Sequence, residues 1–186
     1  VHLLRVEEEY RLELREIRFD SFMLKQIIQN GVPSGFQNSV IAIANVFVQS
    51  NINAFGKMAM AGCGSYSKIE GFAFLPVTCF TMALTTFVSQ NLGAKQYDRA
   101  KKGAKFGVLC SIAIAELIGI IIYAAAPILI TAFNRDPDVV HYGVMQARII
   151  ALFYCLLAFS HCIAAVLRGS GNASVPMIVM LCDWCL

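Results

Sequence analysis

Charge is scarce in this chain of 186 residues. Only 15% of its residues are Asp, Glu, Lys or Arg, and 58% are hydrophobic. An average globular domain has about 25% charged residues. A soluble domain with so little charge would leave a large apolar surface in contact with water. The composition therefore excludes an ordinary soluble domain and indicates a polytopic membrane protein.

Sequence motifs of enzymes and metal sites are also missing. The chain contains no nucleophile elbow, phosphate-binding loop or H-E-x-x-H helix, so nothing in it supports an enzyme. Cys182 and Cys185 form a C-x-x-C, but no second such pair and no His pair completes a zinc site. The seven cysteines follow no regular framework, so we expect buried free thiols and no metal or other cofactor.

Long apolar segments make up most of the chain after a charged stretch at residues 1–29. They cover residues 32–55, 58–92, 106–133 and 139–167, and a fifth begins near residue 173. A helix needs roughly 20 apolar residues to span a bilayer. The sequence thus predicts an all-α integral membrane bundle with about four complete transmembrane helices and a truncated fifth. The chain starts without Met and ends inside an apolar run, so we expect a piece of a longer protein.

The distribution of charge predicts how the chain is oriented in the plasma membrane. Basic residues favour the cytoplasmic side. They collect in residues 1–29, 93–105 and 168–174, which we therefore expect to be cytoplasmic. The stretch from Lys95 to Lys105 is predicted to be a basic loop. Pro76 is predicted to kink the second apolar segment, because proline removes a helix hydrogen bond.

Amide side chains line up along the first apolar segment. At 100° per residue, Asn38, Asn45, Gln49 and Asn53 fall within one arc of about 100°, and Gln37 lies near its edge. We call Asn38, Asn45, Gln49 and Asn53 the amide stripe. The stripe predicts the wall of a water-filled cavity. The alternative is hydrogen bonding between packed helices, which is common in membrane bundles.

Two carboxylates lie within apolar segments and are candidates for ion coupling. Glu70 lies on a stripe with the hydroxyl residues Ser67, Thr78, Thr81, Thr85 and Ser89. Lys68 lies about 160° away from Glu70 on the helix, so each needs a separate partner. Glu116 lies in the third segment among Ala, Leu and Ile. Ionisable residues at such depth are costly and are typical of proton or cation pathways. The alternative for Glu116 is a static salt bridge to a neighbouring helix.

Other features of the apolar segments are more typical of packing than of function. His161 and Tyr154 are seven residues apart on one helix face, which favours a structural histidine with a hydrogen-bond partner. Two G-x-x-x-G motifs, at residues 31–35 and 103–107, would permit close approach of neighbouring helices.

Five ordered motifs resemble the multidrug and toxic compound extrusion (MATE) transporters. They are GVPSGFQNSV from Gly31, FVQSNINAFG from Phe47, KIEGFAF from Lys68, SQNLGAKQYDRAKKG from Ser89 and LRGSGNASVPM from Leu167. The resemblance is to the second lobe of that family, from its seventh helix to the start of its eleventh. It implies a twelve-helix protein of two lobes, with residues 1–29 as the cytoplasmic linker between lobes and residues 30–186 as a partial C-terminal lobe.

The same resemblance implies a secondary transporter. It would export drugs or organic cations by Na⁺ or H⁺ antiport with alternating access. The resemblance implies Na⁺ or H⁺ as the coupling ion and no cofactor. Gln37 and the amide stripe would line the substrate cavity, and Glu70 and Glu116 would couple the ion. The expected partners are cationic or amphipathic small molecules, the lipid bilayer and the missing N-terminal lobe, with no nucleic acid.

One position departs from the family pattern. Some members carry a Glu about ten residues after the first Gly of the GxP motif, where this chain has Ile41. This departure puts cation binding at that position in doubt. Two alternatives stay open: a related flippase for lipid-linked glycans, and a membrane scaffold or sensor that does not transport. An upstream copy of the same motifs would favour the two-lobe transporter.

Overall fold

The chain folds as helices joined by short connections in the computed structural model. The structure describes the backbone of residues 18–185 and the side chains of residues 18–179. The helices are α1 (Ser21–Ala54), α2 (Lys57–Ala73), α3 (Leu75–Gly93), α4 (Tyr97–Phe133), α5 (Pro137–Ala151), α6 (Tyr154–Gly169) and α7 (Ser174–Cys185). No strand occurs in this described part. The predicted all-α membrane bundle is confirmed.

Two of the predicted spans are bent where their helices break. The second breaks at Phe74, with an angle of 40° between α2 and α3. Pro76 is the second residue of α3, so the predicted proline kink is confirmed. The fourth span bends by 56° between α5 and α6, which the sequence did not predict. There the Phe153 N–H donates to the Ile150 carbonyl, an i→i−3 bond that tightens the turn without a proline.

The basic stretch that the sequence placed in a loop is mostly helical. Only residues 94–96 connect α3 to α4, and residues 97–105 form the first turns of α4. The predicted loop is therefore wrong beyond Gln96. Lys, Arg and Ala are strong helix formers, so the polar start of α4 continues the apolar helix past the bilayer surface.

By length and composition, α4 alone is long and apolar enough to cross a membrane, and there are up to three spans if each bent pair counts as one. This finding concerns the described residues. α1 has 34 residues but is not among these spans. Its amides lower its apolar content below that of an ordinary span. The predicted number of four complete spans is therefore not reached on this criterion.

The core of the bundle forms around α4. This helix packs against α3, α5 and α6, and α2 packs against α5. Tyr66, Ile122, Ala126 and Ile130 are buried in the main core. α1 lies at the edge, where it packs against α7 and touches α2 near their connecting turn. Consequently most of the α1 surface is exposed in the described chain.

The closest contacts between helices occur at glycines, and some of these glycines lie outside the two G-x-x-x-G motifs. A Cβ on Gly62 of α2 would meet the Val139 carbonyl oxygen of α5 at 2.6 Å. Gly103 and Gly107 lie against side chains of α3, which confirms the close approach predicted for the second G-x-x-x-G motif. No described residue lies within 4 Å of a Cβ added at Gly31 or Gly35, so close approach at residues 31–35 stays a prediction.

Five cysteines have described side chains, and all five are free thiols, but the predicted burial is correct only for Cys162. They are Cys63, Cys79, Cys110, Cys155 and Cys162. The side chains of the C-x-x-C pair, Cys182 and Cys185, lie outside the described residues.

Candidate functional site

A polar network joins the two bent spans close to their breaks. The Tyr66 hydroxyl of α2 lies 3.1 Å from the Tyr154 hydroxyl of α6, and it donates to Glu70 Oε1 at 3.4 Å. Tyr66 is fully buried and Tyr154 is 4% exposed. We call Tyr66, Glu70 and Tyr154 the hinge network. It is a polar chain inside an otherwise apolar core.

The positions of these residues follow from the helix breaks. Tyr66 and Glu70 are one turn apart on α2, and Tyr154 is the first residue of α6. Phe74, at the first break, packs edge to face on His161 of α6 with ring centres 5.0 Å apart. The hydrogen bond between His161 and Tyr154 that the sequence favoured is not observed in the described residues, because Tyr154 pairs with Tyr66 and His161 packs on Phe74. Two points of contact therefore join the bent spans, one at each break.

Glu70 brings a carboxylate to the surface of this network. Its side chain is partly buried, and the hydroxyl of Tyr66 is its one hydrogen-bond donor among the described side chains. A carboxylate has about four acceptor positions, so most of them remain available for a cation or a proton. Lys68 does not pair with Glu70, because its Nζ lies over the Phe133 ring at 5.6 Å. The separate partners expected for these two residues are observed.

The hydroxyl pair gives a testable energetic prediction. We expect Tyr66→Phe and Tyr154→Phe each to destabilise the full-length protein, with a coupling energy of about 0.6–1.7 kcal/mol in a double-mutant cycle, the range for polar contacts in membrane bundles. Tyr66→Phe should cost more because it also removes the donor to Glu70. Thermal unfolding in detergent measures this energy. Tyr97→Phe, at a 63% exposed tyrosine, is the control, and zero coupling contradicts the network.

Glu116 is not part of the hinge network. Its side chain is partly buried on α4, and its Oε2 has no hydrogen-bond partner in the described part of the chain. Gly119, on the next turn of α4, lies against the Tyr154 ring. An orphaned buried carboxylate oxygen is rare, because burial without a partner costs free energy. The structure therefore keeps both predicted carboxylates in the helical core but does not join them.

The amide stripe lies on the outside of the described bundle. Asn38, Asn45, Gln49 and Asn53 are exposed, and Gln49 Nε2 donates to Asn53 Oδ1 at 3.0 Å. Gln37 points inward and is only 4% exposed. Cavity lining by these residues stays a prediction, because the described helices do not enclose the stripe. A row of exposed amides within a membrane helix requires water or a second polar surface.

Sequence reasoning missed a hydroxyl-lined groove between α3 and α6. It has a volume of about 540 Å³, and its lining is Thr78, Thr81, Met82, Thr85, Thr86 and Arg168. The Thr78 hydroxyl donates to the Phe74 carbonyl, just before α3, and the other threonine hydroxyls donate to backbone carbonyls of α3. Thr85 Oγ1 also lies 3.2 Å from the Ala165 carbonyl oxygen of α6. Each hydroxyl oxygen can still accept a hydrogen bond. The spacing of the threonines in the sequence could have indicated this row of hydroxyls, whereas Arg168 joins them only through tertiary packing.

Bent spans that carry polar groups near their breaks are a feature of secondary-transporter bundles. Comparison with known families agrees with this class. The MatE family model matches residues 33–186, and the chain belongs to this family.

Relatives of the chain include two described as probable multidrug resistance proteins. YoeA of Bacillus subtilis (strain 168) is 22% identical over 180 residues, which cover 97% of this chain and 38% of YoeA. NorM of Thermotoga maritima is 28% identical over 155 residues, with 83% of this chain and 33% of NorM covered. A third relative, described as an FAD transporter of Shewanella oneidensis, is 22% identical, with 96% of this chain and 39% of the relative covered. The chain therefore spans well under half the length of these relatives.

Solved structures share the fold. A MOP superfamily transporter from Pyrococcus furiosus, described as having a binding pocket of reversed polarity, superposes with a TM-score of 0.82 at 18% identity. The match covers 87% of this chain and 36% of that one. A MATE protein in complex with MaD5 superposes with a TM-score of 0.81 at 19% identity, over 94% and 39% of the two chains.

Proposed function

We propose that this chain forms most of one lobe of a two-lobe secondary transporter that exports small molecules. In this proposal, residues 1–29 link the lobes and residues 30–186 belong to the C-terminal lobe. One combined observation carries it. The MatE model matches residues 33–186, and the chain superposes closely on a transporter of which it covers only 36%. A bundle of this kind places its substrate site between repeats, so the remaining polypeptide would complete it.

The exposed amide stripe of α1 supports a central cavity between the lobes. In the described lobe its four side chains are exposed, although amides exposed to lipid are costly. A second lobe across a water-filled cavity would remove that cost. Amides offer both donors and acceptors, so they suit loosely bound drugs or organic cations. Gln37 would act from the buried side of the same helix.

Ion coupling is assigned to Glu70 and Glu116. Inward flow of Na⁺ or H⁺ would drive export by alternating access, with the bends at α2/α3 and α5/α6 as the points where the lobe flexes. The partly buried Glu70 carboxylate and the orphaned Glu116 Oε2 support this assignment. The basic residues support an orientation with residues 1–29, 93–105 and 168–174 on the cytoplasmic side of the plasma membrane.

An efflux assay of the full-length protein tests the proposal. Expressed in cells that lack their own drug exporters, it should lower the accumulation of a cationic dye. Collapse of the Na⁺ or the proton gradient should remove that effect. The isolated 186-residue chain should not export the dye, and export by it would contradict the two-lobe proposal. Export that persists without either gradient would contradict antiport.

A second candidate is export of anionic amphiphiles, and the groove at Arg168 favours it. A guanidinium beside threonine hydroxyls suits a phosphate or carboxylate group. The relative described as an FAD transporter supports the same polarity of substrate. The efflux assay separates the candidates if an anionic dye runs alongside the cationic one. Loss of anionic export alone in Arg168→Gln would favour the second candidate.

A further inference from the structure

The hydrogen bonds of the hinge network run in a fixed direction. Each tyrosine hydroxyl carries one proton, and an ionised carboxylate carries none. Tyr66 donates its proton to Glu70 Oε1, and its oxygen lies 3.1 Å from the Tyr154 oxygen, where either hydroxyl could donate. Because the Tyr66 proton is already used, the Tyr154 hydroxyl must supply the proton between the two oxygens. The donors therefore follow the order Tyr154, Tyr66, Glu70.

Burial isolates both hydroxyls from competing partners. Tyr66 is 0% exposed and Tyr154 is 4% exposed. Among the described residues, neither hydroxyl has a hydrogen bond outside the network. In such surroundings hydrogen bonds polarise one another, so a donor to the Tyr66 oxygen makes Tyr66 a stronger donor to Glu70. Tyr154 thus acts on a carboxylate to which it forms no hydrogen bond itself.

The contact between Tyr66 and Glu70 is the weaker of the two hydrogen bonds. Its 3.4 Å exceeds the usual O–H···O length of about 2.5–3.0 Å. Both residues lie on α2 one turn apart, so the helix fixes the spacing of their backbones but does not orient the Tyr66 hydroxyl. The Tyr154 hydroxyl on its other side provides that orientation. Loss of the Tyr154 hydroxyl should therefore loosen the hydrogen bond to Glu70.

Tyr154 is itself held at the break between α5 and α6. It is the first residue of α6, and its ring lies against Gly119 of α4, where an added Cβ would be 3.3 Å from Tyr154 Cδ2. The Ala151 carbonyl, at the end of α5, lies against the same glycine. In so closely packed a site the ring has little room to move on its own. A change in the bend would therefore move the Tyr154 hydroxyl, and with it the donor to Tyr66.

We propose that Tyr154 is a positioning residue for the Glu70 carboxylate, that it acts through Tyr66, and that it links ion binding at Glu70 to the bend between α5 and α6. This inference rests on the proposed function, which assigns the coupling ion to Glu70. An ion that binds more tightly at one angle of the bend must also favour that angle. Glu70 lies one turn before the other break at Phe74, so one carboxylate would influence both bends.

The unfolding equilibrium of the purified full-length protein tests the relay without any transport. Glu70→Leu removes the acceptor, and Tyr154→Phe removes the first donor. We expect these two changes to be coupled by about threefold in the unfolding equilibrium constant, although the two side chains form no hydrogen bond with each other. The coupling should vanish when Tyr66→Phe is present in all four proteins of the cycle. No coupling, or coupling that persists without the Tyr66 hydroxyl, would overturn the relay.

Transport kinetics test the link to ion binding. Tyr154→Phe should shift the half-saturating concentration of the driving ion by about threefold or more, while the maximal rate changes by less than about twofold. Tyr142→Phe, at a 40% exposed tyrosine of α5, is the matched control and should change neither quantity. A tyrosine that only stabilised the fold would lower the maximal rate through the amount of active protein and leave the half-saturating concentration as it was.

The two arms separate failure of the relay from failure of the proposed function. An unchanged half-saturating concentration in a Tyr154→Phe protein that still exports would overturn the link to ion binding. If the wild type does not export under either gradient, the proposed function fails and that link fails with it. The coupling through Tyr66 then decides the relay alone, because it is measured on the folded protein.

Discussion

Gly62→Val should lower the free energy of unfolding of the protein. A Cβ at this position would lie 2.6 Å from the Val139 carbonyl oxygen, 2.9 Å from the Gly143 amide nitrogen and 3.0 Å from the Tyr142 Cβ. Two of these three atoms belong to the backbone of α5, which cannot move aside as a side chain can. Overpacking of a rigid site typically costs about 1–3 kcal/mol, and occasionally more. We expect the upper end, because α2 and α5 must separate along their whole contact.

The same helix provides the matched control for this prediction. Gly64 is exposed, two residues further on α2, and a Cβ there would meet nothing within 4 Å. Gly64→Val should change stability by less than about 0.5 kcal/mol, as surface substitutions usually do. Thermal unfolding and size-exclusion profiles of the purified full-length variants measure the difference. Equal melting temperatures for the two variants would show that α2 and α5 do not touch as described.

The sequence predicted the helical elements where their physical cause is local. The runs of apolar residues identify the helices of the core, and Pro76 predicts the bend before α3, because proline removes a hydrogen bond wherever it lies. The α5/α6 bend has no such local cause. It occurs where the Ala151 carbonyl passes Gly119 of α4, at 2.7 Å from the position of an added Cβ. A bend set by a neighbouring helix does not appear in the periodicity of its own sequence.

The candidate site was predictable only in part, for the same reason. Periodicity places Asn45 and Gln49 on one face of α1, but what covers that face depends on partners that a helical wheel does not contain. Tyr66 and Glu70 stand four residues apart, so their contact was within reach of sequence reasoning. Tyr154 lies 88 residues away from Tyr66, and only tertiary packing reveals the hydroxyl pair. Contacts between residues distant in the sequence therefore determine the geometry of the site.

Glu70→Gln should remove most of the ion-driven export by the full-length protein. Glutamine keeps the shape of the side chain and an oxygen that can accept the Tyr66 hydroxyl, so the fold and the hinge network should persist. It removes the negative charge that would hold Na⁺ or carry H⁺. We expect gradient-driven efflux to fall by about tenfold or more, which corresponds to about 1.4 kcal/mol. Uptake of the dye into inverted vesicles under an imposed Na⁺ or pH gradient measures it.

Glu116→Gln tests whether the Glu116 carboxylate couples the ion or is only an unpaired buried group. If Glu116 carries the ion, the variant should lose gradient-driven efflux as Glu70→Gln does. Its stability should rise in either case, because an amide is less costly than an orphaned carboxylate in an apolar core. Asp98→Asn, an exposed acid in the first turn of α4, is the control for acid-to-amide change and should transport normally. If both glutamate variants keep wild-type efflux under either gradient, neither Glu70 nor Glu116 couples the ion.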